Sequence, residues 1–135
     1  MITNSNVVTP EEKRTVAVLG ASGDRKKFGN KAVRAFAQSG WTVWPIHPKE
    51  DVVEGLNVFR TLEELPGKPD WISVYLPSKI SLGLVESFAK FPQTEIWLNP
   101  GAESEDLVKA LEEKGLQVRQ ACSVVAIGLE PDDFE

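Results

Sequence analysis

The chain has 135 residues, of which 41% are hydrophobic and 26% charged, and its net charge at pH 7 is -5. This size and composition are typical of one globular domain with one core and exclude a large multidomain machine. The acidic balance also argues against nucleic acid as a partner, because neutralising many phosphates needs a basic face.

We expect a single domain over residues 1–135, with a short tail at 1–8 and an acidic tail at 131–135. Residues 9–12 are typical of a helix start. No apolar run is long enough to cross a membrane, and the first residues lack the basic-then-apolar order of a signal peptide. We therefore expect a cytoplasmic protein without a membrane partner.

Five apolar or β-rich runs predict strands, because each is short and ends at a turn signal. They are residues 15–19, 41–46, 71–76, 95–98 and 116–120. The segments between them carry helix signals, which begin near Gly29 or Asn30, after Thr61, at Ser78 and near Glu103. This alternation predicts an α/β fold with three αβα layers. We expect a Rossmann-like, doubly wound parallel sheet of five strands in the order 3-2-1-4-5.

The loop after the first strand carries a signal for an anion site. It consists of Gly20, Ala21, Ser22 and Gly23. Ligands of such sheets bind beyond the carboxyl ends of the strands, where backbone N–H groups and a helix dipole attract a phosphate. Four cations stand against one acid in residues 24–31, so Arg25, Lys26 or Lys27 can supply charge. The loop matches neither G-x-G-x-x-G nor a Walker motif, and the alternative is a tight turn with a solvated basic face.

The second strand is followed by His47, Pro48 and Lys49. A domain that binds NAD usually has an acid at this position, whose carboxylate accepts hydrogen bonds from ribose hydroxyls. Here we expect no acid at the strand end, and a cation is present. A ribose that carries a phosphate therefore fits better, which favours coenzyme A or NADP over NAD. Alternatively, His47 is an ordinary loop residue and Lys49 a surface charge.

The third strand leads through Leu76 and Pro77 into a helix that Ser78 can cap, so this strand end offers the site an apolar wall. Tyr75 beside them is equally explained as a half-buried residue of the sheet. Residues 99–102, after the fourth strand, either border the same cleft or form only a turn.

The sequence contains no catalytic constellation that we recognise, and we predict neither catalytic residues nor a metal site. There is no H-E-x-x-H motif, and one cysteine and one histidine cannot form a Cys-rich or His-rich metal site. In the predicted strand order Cys122 and His47 are roughly 14 Å apart, which is too far for a proton transfer. We expect Cys122 to be a small buried hydrophobe and the four tryptophans to pack in the core.

Five segments together carry a family resemblance. They are V-A-V-L-G-A-S at 16–22, V-W-P-I-H-P-K at 43–49, L-E-E-L-P at 62–66, I-S-V-Y-L-P at 72–77 and I-W-L-N-P-G-A at 96–102. On these segments the chain resembles the CoA-binding domain family. Its members include small stand-alone proteins, similar to the N-terminal domains of the succinyl-CoA synthetase α subunit and of ADP-forming acyl-CoA synthetases.

The resemblance implies a Rossmann-like domain that binds coenzyme A, with the ADP phosphates on the first loop and Arg25 nearby. It implies that adenosine and its 3'-phosphate lie near residues 47–49, with Leu76 and Pro77 on the opposite wall. Many relatives have Gln where Asn99 stands and an Asp-Arg-Cys run where this chain has residues 120–123. The second domain of the synthetases, which carries their phosphorylated histidine, has no counterpart in this sequence.

Our leading hypothesis is a non-catalytic module that binds coenzyme A or an acyl-CoA. One alternative is an NADP-binding domain of the oxidoreductase type. Another is a regulatory subunit of an acyl-CoA synthetase-like partner, which would supply the catalysis.

Overall fold

The computed structural model describes residues 13–135. The predicted tail at 1–8 and the predicted helix start at 9–12 lie outside the described residues. The strands are β1 (Thr15–Leu19), β2 (Thr42–Ile46), β3 (Val52–Val53), β4 (Leu56–Asn57), β5 (Trp71–Val74), β6 (Glu95–Leu98) and β7 (Gln117–Gln120). The helices are α1 (Phe28–Gln38), α2 (Ser78–Leu82), α3 (Val85–Phe88), α4 (Glu105–Glu113) and α5 (Ser123–Ala126), with 3-10 turns at Leu62–Glu64 and Pro131–Asp133.

Five of the strands form one parallel sheet in the order β2-β1-β5-β6-β7. Val16 of β1 lies opposite Val43 of β2 on one side and Trp71 of β5 on the other. Helices cover both faces of the sheet, so the predicted α/β, doubly wound fold with three αβα layers is confirmed. None of the helices in residues 13–135 has the length and apolar character needed to span a membrane.

The predicted strand order 3-2-1-4-5 is wrong, because β5 lies beside β1 rather than beside β2. Pro45 in β2 gives the physical reason. The Pro45 carbonyl accepts a hydrogen bond from the Phe59 N–H (2.9 Å), on the side of β2 that faces away from β1. The Pro45 nitrogen, which carries no hydrogen, faces the same outer side. A further strand could not form a full ladder there, and β2 is accordingly an edge strand.

Each face of the sheet has its own apolar core, because successive residues of a strand point to opposite faces. One core combines strand residues such as Leu19, Ile72 and Leu98 with Phe88 and Leu107 from the helices α3 and α4. The opposite core combines residues including Val16, Val18, Ala32, Phe36 and Val124, from β1, α1 and α5. The four tryptophans all pack against one of these two cores, as expected.

Several local features differ from the prediction. The sequence analysis does not predict β3, β4 or α5, and the helix expected after Ser78 is divided into α2 and α3. Neither Thr61 nor Ser78 caps a helix through its side chain, and the residue that precedes α2 is Pro77. The acidic segment 131–135 was expected as a tail, but Phe134 is buried in the core on the α1 side.

Candidate functional site

A cleft of about 670 Å³ runs along the carboxyl ends of β1, β2, β5 and β6. Of the predicted site residues, the cleft is lined by Gly20, Ala21, Ser22, Lys26, His47, Pro48, Leu76 and Pro77. The other predicted site residues, Gly23, Arg25, Lys49 and Ser78, lie outside this lining. Lys27, Phe28, Gly29, Tyr75, Pro100, Gly101 and Ala102 complete it. Phe28 and Gly29 were not among the predicted site residues; the first helix was expected to begin near Gly29 or Asn30, whereas α1 begins at Phe28.

The first loop is held tightly between β2 and α1. Gly20 has a φ of +94°, and the N–H groups of Gly20 and Ala21 both donate to the Ile46 carbonyl at 3.2 Å. These two N–H groups are therefore used within the fold rather than offered to a ligand. At the other side of the loop, a Cβ on Gly29 would lie 2.2 Å from the Gly20 oxygen, so α1 approaches the loop as closely as backbone allows.

Unpaired donors remain at the junction of the loop and α1. Among residues 13–135 the N–H groups of Ser22, Phe28 and Gly29 donate to no protein acceptor. The first turn of α1 has no acidic residue and no side-chain cap. Because these three residues and the two lysines Lys26 and Lys27 line the cleft, dipole, N–H groups and positive charge converge on one place. This arrangement suits an anion such as a phosphate.

Two carboxylates from the segment after β2 contact the first loop and the residues that follow it. Glu50 accepts a hydrogen bond from the Gly23 N–H. Glu54 pairs with Arg25 at 3.3 Å and accepts from the buried Asn30 amide at 3.1 Å. Gly23 and Arg25 are therefore already engaged by acids of the protein. The expectation that no acid stands at the end of the second strand needs correction, because Glu50, four residues beyond β2, reaches the loop.

His47 shapes the turn that brings Glu50 back. Its Nδ1 accepts hydrogen bonds from the N–H groups of Lys49 (3.0 Å) and Glu50 (3.1 Å). Nδ1 therefore acts as an acceptor, and the neutral ring carries its proton on Nε2. Lys49 is exposed beside the cleft, next to Glu50 in the chain.

A smaller apolar pocket of about 290 Å³ opens beside the cleft and shares Gly20, Pro48 and Leu76 with it. Its other lining residues are Leu19, Ile46, Arg60, Thr61, Leu62, Glu63, Ile80, Leu84 and Ser87. At its edge the Ser87 hydroxyl, and after it Lys90, lower the pKa of the Glu63 carboxyl. Sequence reasoning missed this pocket because its walls come from four separate segments of the chain.

A buried polar cluster joins the ends of β5 and β6 to the start of α5. The Ser73 and Ser123 hydroxyls are 2.7 Å apart, and the Asn99 side chain donates to Ser73 Oγ at 2.9 Å and accepts from the Ser123 N–H at 2.8 Å. Tyr75 lies 3.4 Å from Ser123 Oγ, and burial raises the pKa of its hydroxyl to about 12. Of these four residues Tyr75 alone lines the cleft, and the hydrogen bonds of the others hold the ends of β5 and β6 against the start of α5.

The structure does not bring Cys122 and His47 together. Three strands lie between β2 and β7, so the two residues are separated by roughly 19 Å at about 4.8 Å per strand. Cys122 is half-buried and packs against the core on the α1 side. In the described part of the chain no group of three or more His, Cys, Asp or Glu residues could hold a metal ion.

Sequence comparison finds a family and two named relatives. The model of a family described as "CoA binding domain" matches residues 14–128. The uncharacterized protein YneT of Bacillus subtilis (strain 168) is 25% identical over 108 residues, which are 80% of this chain and 80% of that protein. The ADP-forming acetate–CoA ligase II subunit alpha of Pyrococcus furiosus is 33% identical over 67 residues, which are 49% of this chain and 15% of the subunit.

Structural comparison agrees. A conserved hypothetical protein from Pyrococcus furiosus matches with a TM-score of 0.79 and 32% identity, over 84% of this chain and 98% of that one. The dinucleotide-forming acetyl-coenzyme A synthetase 1 of Ca. Korarchaeum cryptofilum, in complex with phosphate and ADP, matches with a TM-score of 0.69 and 27% identity. The match covers 84% of this chain and 26% of the synthetase. With a family model matching from residue 14 to residue 128, the chain belongs to the CoA-binding domain family.

Proposed function

We propose that this protein binds coenzyme A, or a short acyl-CoA, in the cleft at the strand ends and performs no catalysis by itself. The observation that carries the proposal is the set of unpaired N–H groups of Ser22, Phe28 and Gly29 beside Lys26 and Lys27. The ADP phosphates of the ligand would accept hydrogen bonds from these groups at the N-terminus of α1.

The rest of the ligand follows from the shape of the site. Adenosine would lie between Pro48 and Leu76, which separate the cleft from the apolar pocket, and Lys49 would pair with the 3'-phosphate. The pantetheine arm would run past Tyr75 and Pro77 toward Pro100–Ala102, along the remaining lining of the cleft. A cleft of about 670 Å³ is within the usual range for a ligand of this kind.

The side chains that line the cleft support a binding role rather than a catalytic one. The Tyr75 hydroxyl, with a pKa of about 12, stays protonated near neutral pH. His47 uses Nδ1 to hold its own turn, and Cys122 lies outside the cleft lining. Because the chain matches only 15% and 26% of the two ligases, we propose that any ligase chemistry comes from a protein partner. If such a partner exists, the protein would bind coenzyme A as its regulatory subunit, which is the second alternative given above.

Thermal unfolding of the purified protein with coenzyme A, NADP or NAD tests the proposal. A ligand at 100 times its Kd stabilises the folded state by about 2.7 kcal/mol, which raises Tm by several degrees for a domain of this size. We expect this rise with coenzyme A alone. A rise with NADP or NAD but none with coenzyme A would contradict the proposal and favour the oxidoreductase alternative.

The lysines at α1 provide a sharper test by titration calorimetry. We expect Lys27→Ala to weaken the binding of coenzyme A by at least tenfold, since one charge-assisted hydrogen bond contributes about 1.5–3 kcal/mol. Lys109→Ala removes an exposed lysine from α4 and is the matched control, which should bind as the unaltered protein does. Equal affinities of the two variants would place the phosphates elsewhere.

A further inference from the structure

We propose that Glu50 is a specificity-determining residue, which accepts the free 2'-hydroxyl of the adenosine ribose while Lys49 pairs with the 3'-phosphate. The site would thus select a ribose phosphorylated on O3' and reject one phosphorylated on O2'. This inference rests on the proposed binding of coenzyme A and adds the recognition of its ribose.

The carboxylate of Glu50 lies directly against the tip of the first loop. One oxygen accepts the Gly23 N–H, and a Cβ built on Gly23 would lie 2.8 and 3.1 Å from the two carboxylate oxygens. An ionised carboxylate only accepts hydrogen bonds and has about four sites for doing so. Within the described residues Gly23 is its one donor, so Glu50 keeps capacity for a ligand hydroxyl.

The backbone around Glu50 is fixed from two sides. Its N–H donates to His47 Nδ1 at 3.1 Å, and its carbonyl accepts from the Arg60 guanidinium at 2.6 Å. Arg60 is itself paired with Asp51. The carboxylate is therefore held against the loop before any ligand arrives, as a recognition group must be if it is to discriminate.

Opposite charges stand at neighbouring positions of this turn. Lys49 is exposed and forms no ion pair among residues 13–135, whereas Glu50 is half-buried and negative. In dinucleotide-binding folds an acid beyond the second strand accepts the ribose 2'-hydroxyl. The ribose of coenzyme A has a hydroxyl on C2' and a phosphate on the neighbouring C3'. An acceptor and a cation at neighbouring positions of the chain suit this pair of groups. A 2'-phosphate, as in NADP, would face the carboxylate with a like charge.

A pair of isomers tests this directly. Coenzyme A and its isomer with the ribose phosphate on O2' differ only in the position of that group, and titration calorimetry gives both affinities. We expect the unaltered protein to bind coenzyme A at least tenfold more tightly. Glu50→Gln keeps an acceptor for Gly23 and removes the charge, so it should tighten the isomer, weaken coenzyme A and reduce the ratio of their affinities at least fivefold. Glu112→Gln, an exposed acid on α4, is the control and should change neither affinity.

The outcomes separate this inference from the proposed function. If coenzyme A does not bind the unaltered protein, the proposed function is wrong and this inference falls with it. If coenzyme A binds but the isomer binds equally well, or Glu50→Gln leaves their ratio unchanged, only the inference is overturned. Lys49→Ala alters an exposed side chain and keeps the test decisive if Glu50→Gln fails to fold. It should weaken coenzyme A about tenfold and 3'-dephospho-coenzyme A less than twofold, and equal losses would overturn the assignment.

Discussion

Single residues set the distance between the first loop and α1. Asn30, fully buried, donates to the Ser22 carbonyl at 2.8 Å and accepts from Arg34 Nε at 2.7 Å. One residue earlier in α1, the backbone of Gly29 lies so close to the Gly20 oxygen that there is no room for a Cβ. The unpaired N–H groups of the site therefore depend on an amide that holds the loop and on a glycine that lets the helix approach.

Gly29→Ala tests this contact. Alanine is the better helix former by about 1 kcal/mol, so propensity alone predicts stabilisation. The added Cβ would lie 2.2 Å from the Gly20 oxygen, a backbone atom, and the loop would have to move. We expect a net loss of about 1–3 kcal/mol in the free energy of unfolding, measured with urea, and weaker binding of coenzyme A.

Gly67→Ala is the matched control, because its Cβ would meet only a Trp44 atom at 3.5 Å. Its stability should stay within about 0.5 kcal/mol of the unaltered protein. If Gly29→Ala has the same free energy of unfolding as this control, the first loop can move away from the added Cβ without loss of stability, and the prediction is wrong.

At the scale of elements, periodicity and turn signals locate the strands of the sheet, and the α/β alternation predicts the edge at which the cleft lies. The strand order was predicted wrongly because a long connection after the second strand allows the third strand to pair with either β2 or β1. Pro45 held the missing information, since proline on the outer side of β2 requires an edge strand. The hairpin β3–β4 was missed because each strand has two residues and its turn, Glu54 and Gly55 at φ 50° and 78°, lacks the usual Asn-Gly.

Glu50 shows a limit of the same kind within the site. The sequence places it three residues beyond His47, where no periodicity indicates a direction. Its carboxylate reaches Gly23 because the hydrogen bond from the Glu50 N–H to His47 Nδ1 closes the turn between the two residues. The position of the glycine-rich loop and of the lysines after it can be read from neighbours in sequence, whereas the acid that contacts the loop depends on a tertiary turn.

The buried cluster between β5 and α5 makes the fold sensitive to high pH. An unfolded chain releases the tyrosine proton near pH 10.0, whereas burial keeps it on Tyr75 up to about pH 12. Between these values the unfolded state binds fewer protons, so the free energy of unfolding falls as pH rises. The loss attributable to Tyr75 is about 2–3 kcal/mol. Urea unfolding below pH 10 and near pH 12 should show a smaller decline for Tyr75→Phe, and equal declines would contradict this account.

At the scale of the whole molecule, the last described residues are tied to the loop that begins the site. One guanidinium makes the connection: Arg34 donates to the Phe134 carbonyl at 2.6 Å, to the Arg25 carbonyl at 2.8 Å and to Asn30 Oδ1 at 2.7 Å. The Phe134 ring lies 5.9 Å from the same guanidinium and is buried against α1. Phe134 thus anchors the acidic segment in the core on the α1 side, and its packing supports the helix whose N-terminus faces the cleft.

Phe134→Ala should therefore destabilise the entire domain rather than loosen an end. Truncating a buried phenylalanine costs about 3 kcal/mol, which lowers Tm by roughly 10 °C for a domain of this size. Val125→Ala removes an apolar side chain that is 48% exposed on α5, and its Tm should change little. Calorimetry on both variants decides the matter: a Phe134→Ala transition at the temperature of the unaltered protein would mean that the segment contributes nothing to the fold. A lower, still cooperative transition would mean that residues 131–135 unfold together with the sheet, because a separate tail would leave the main transition unchanged.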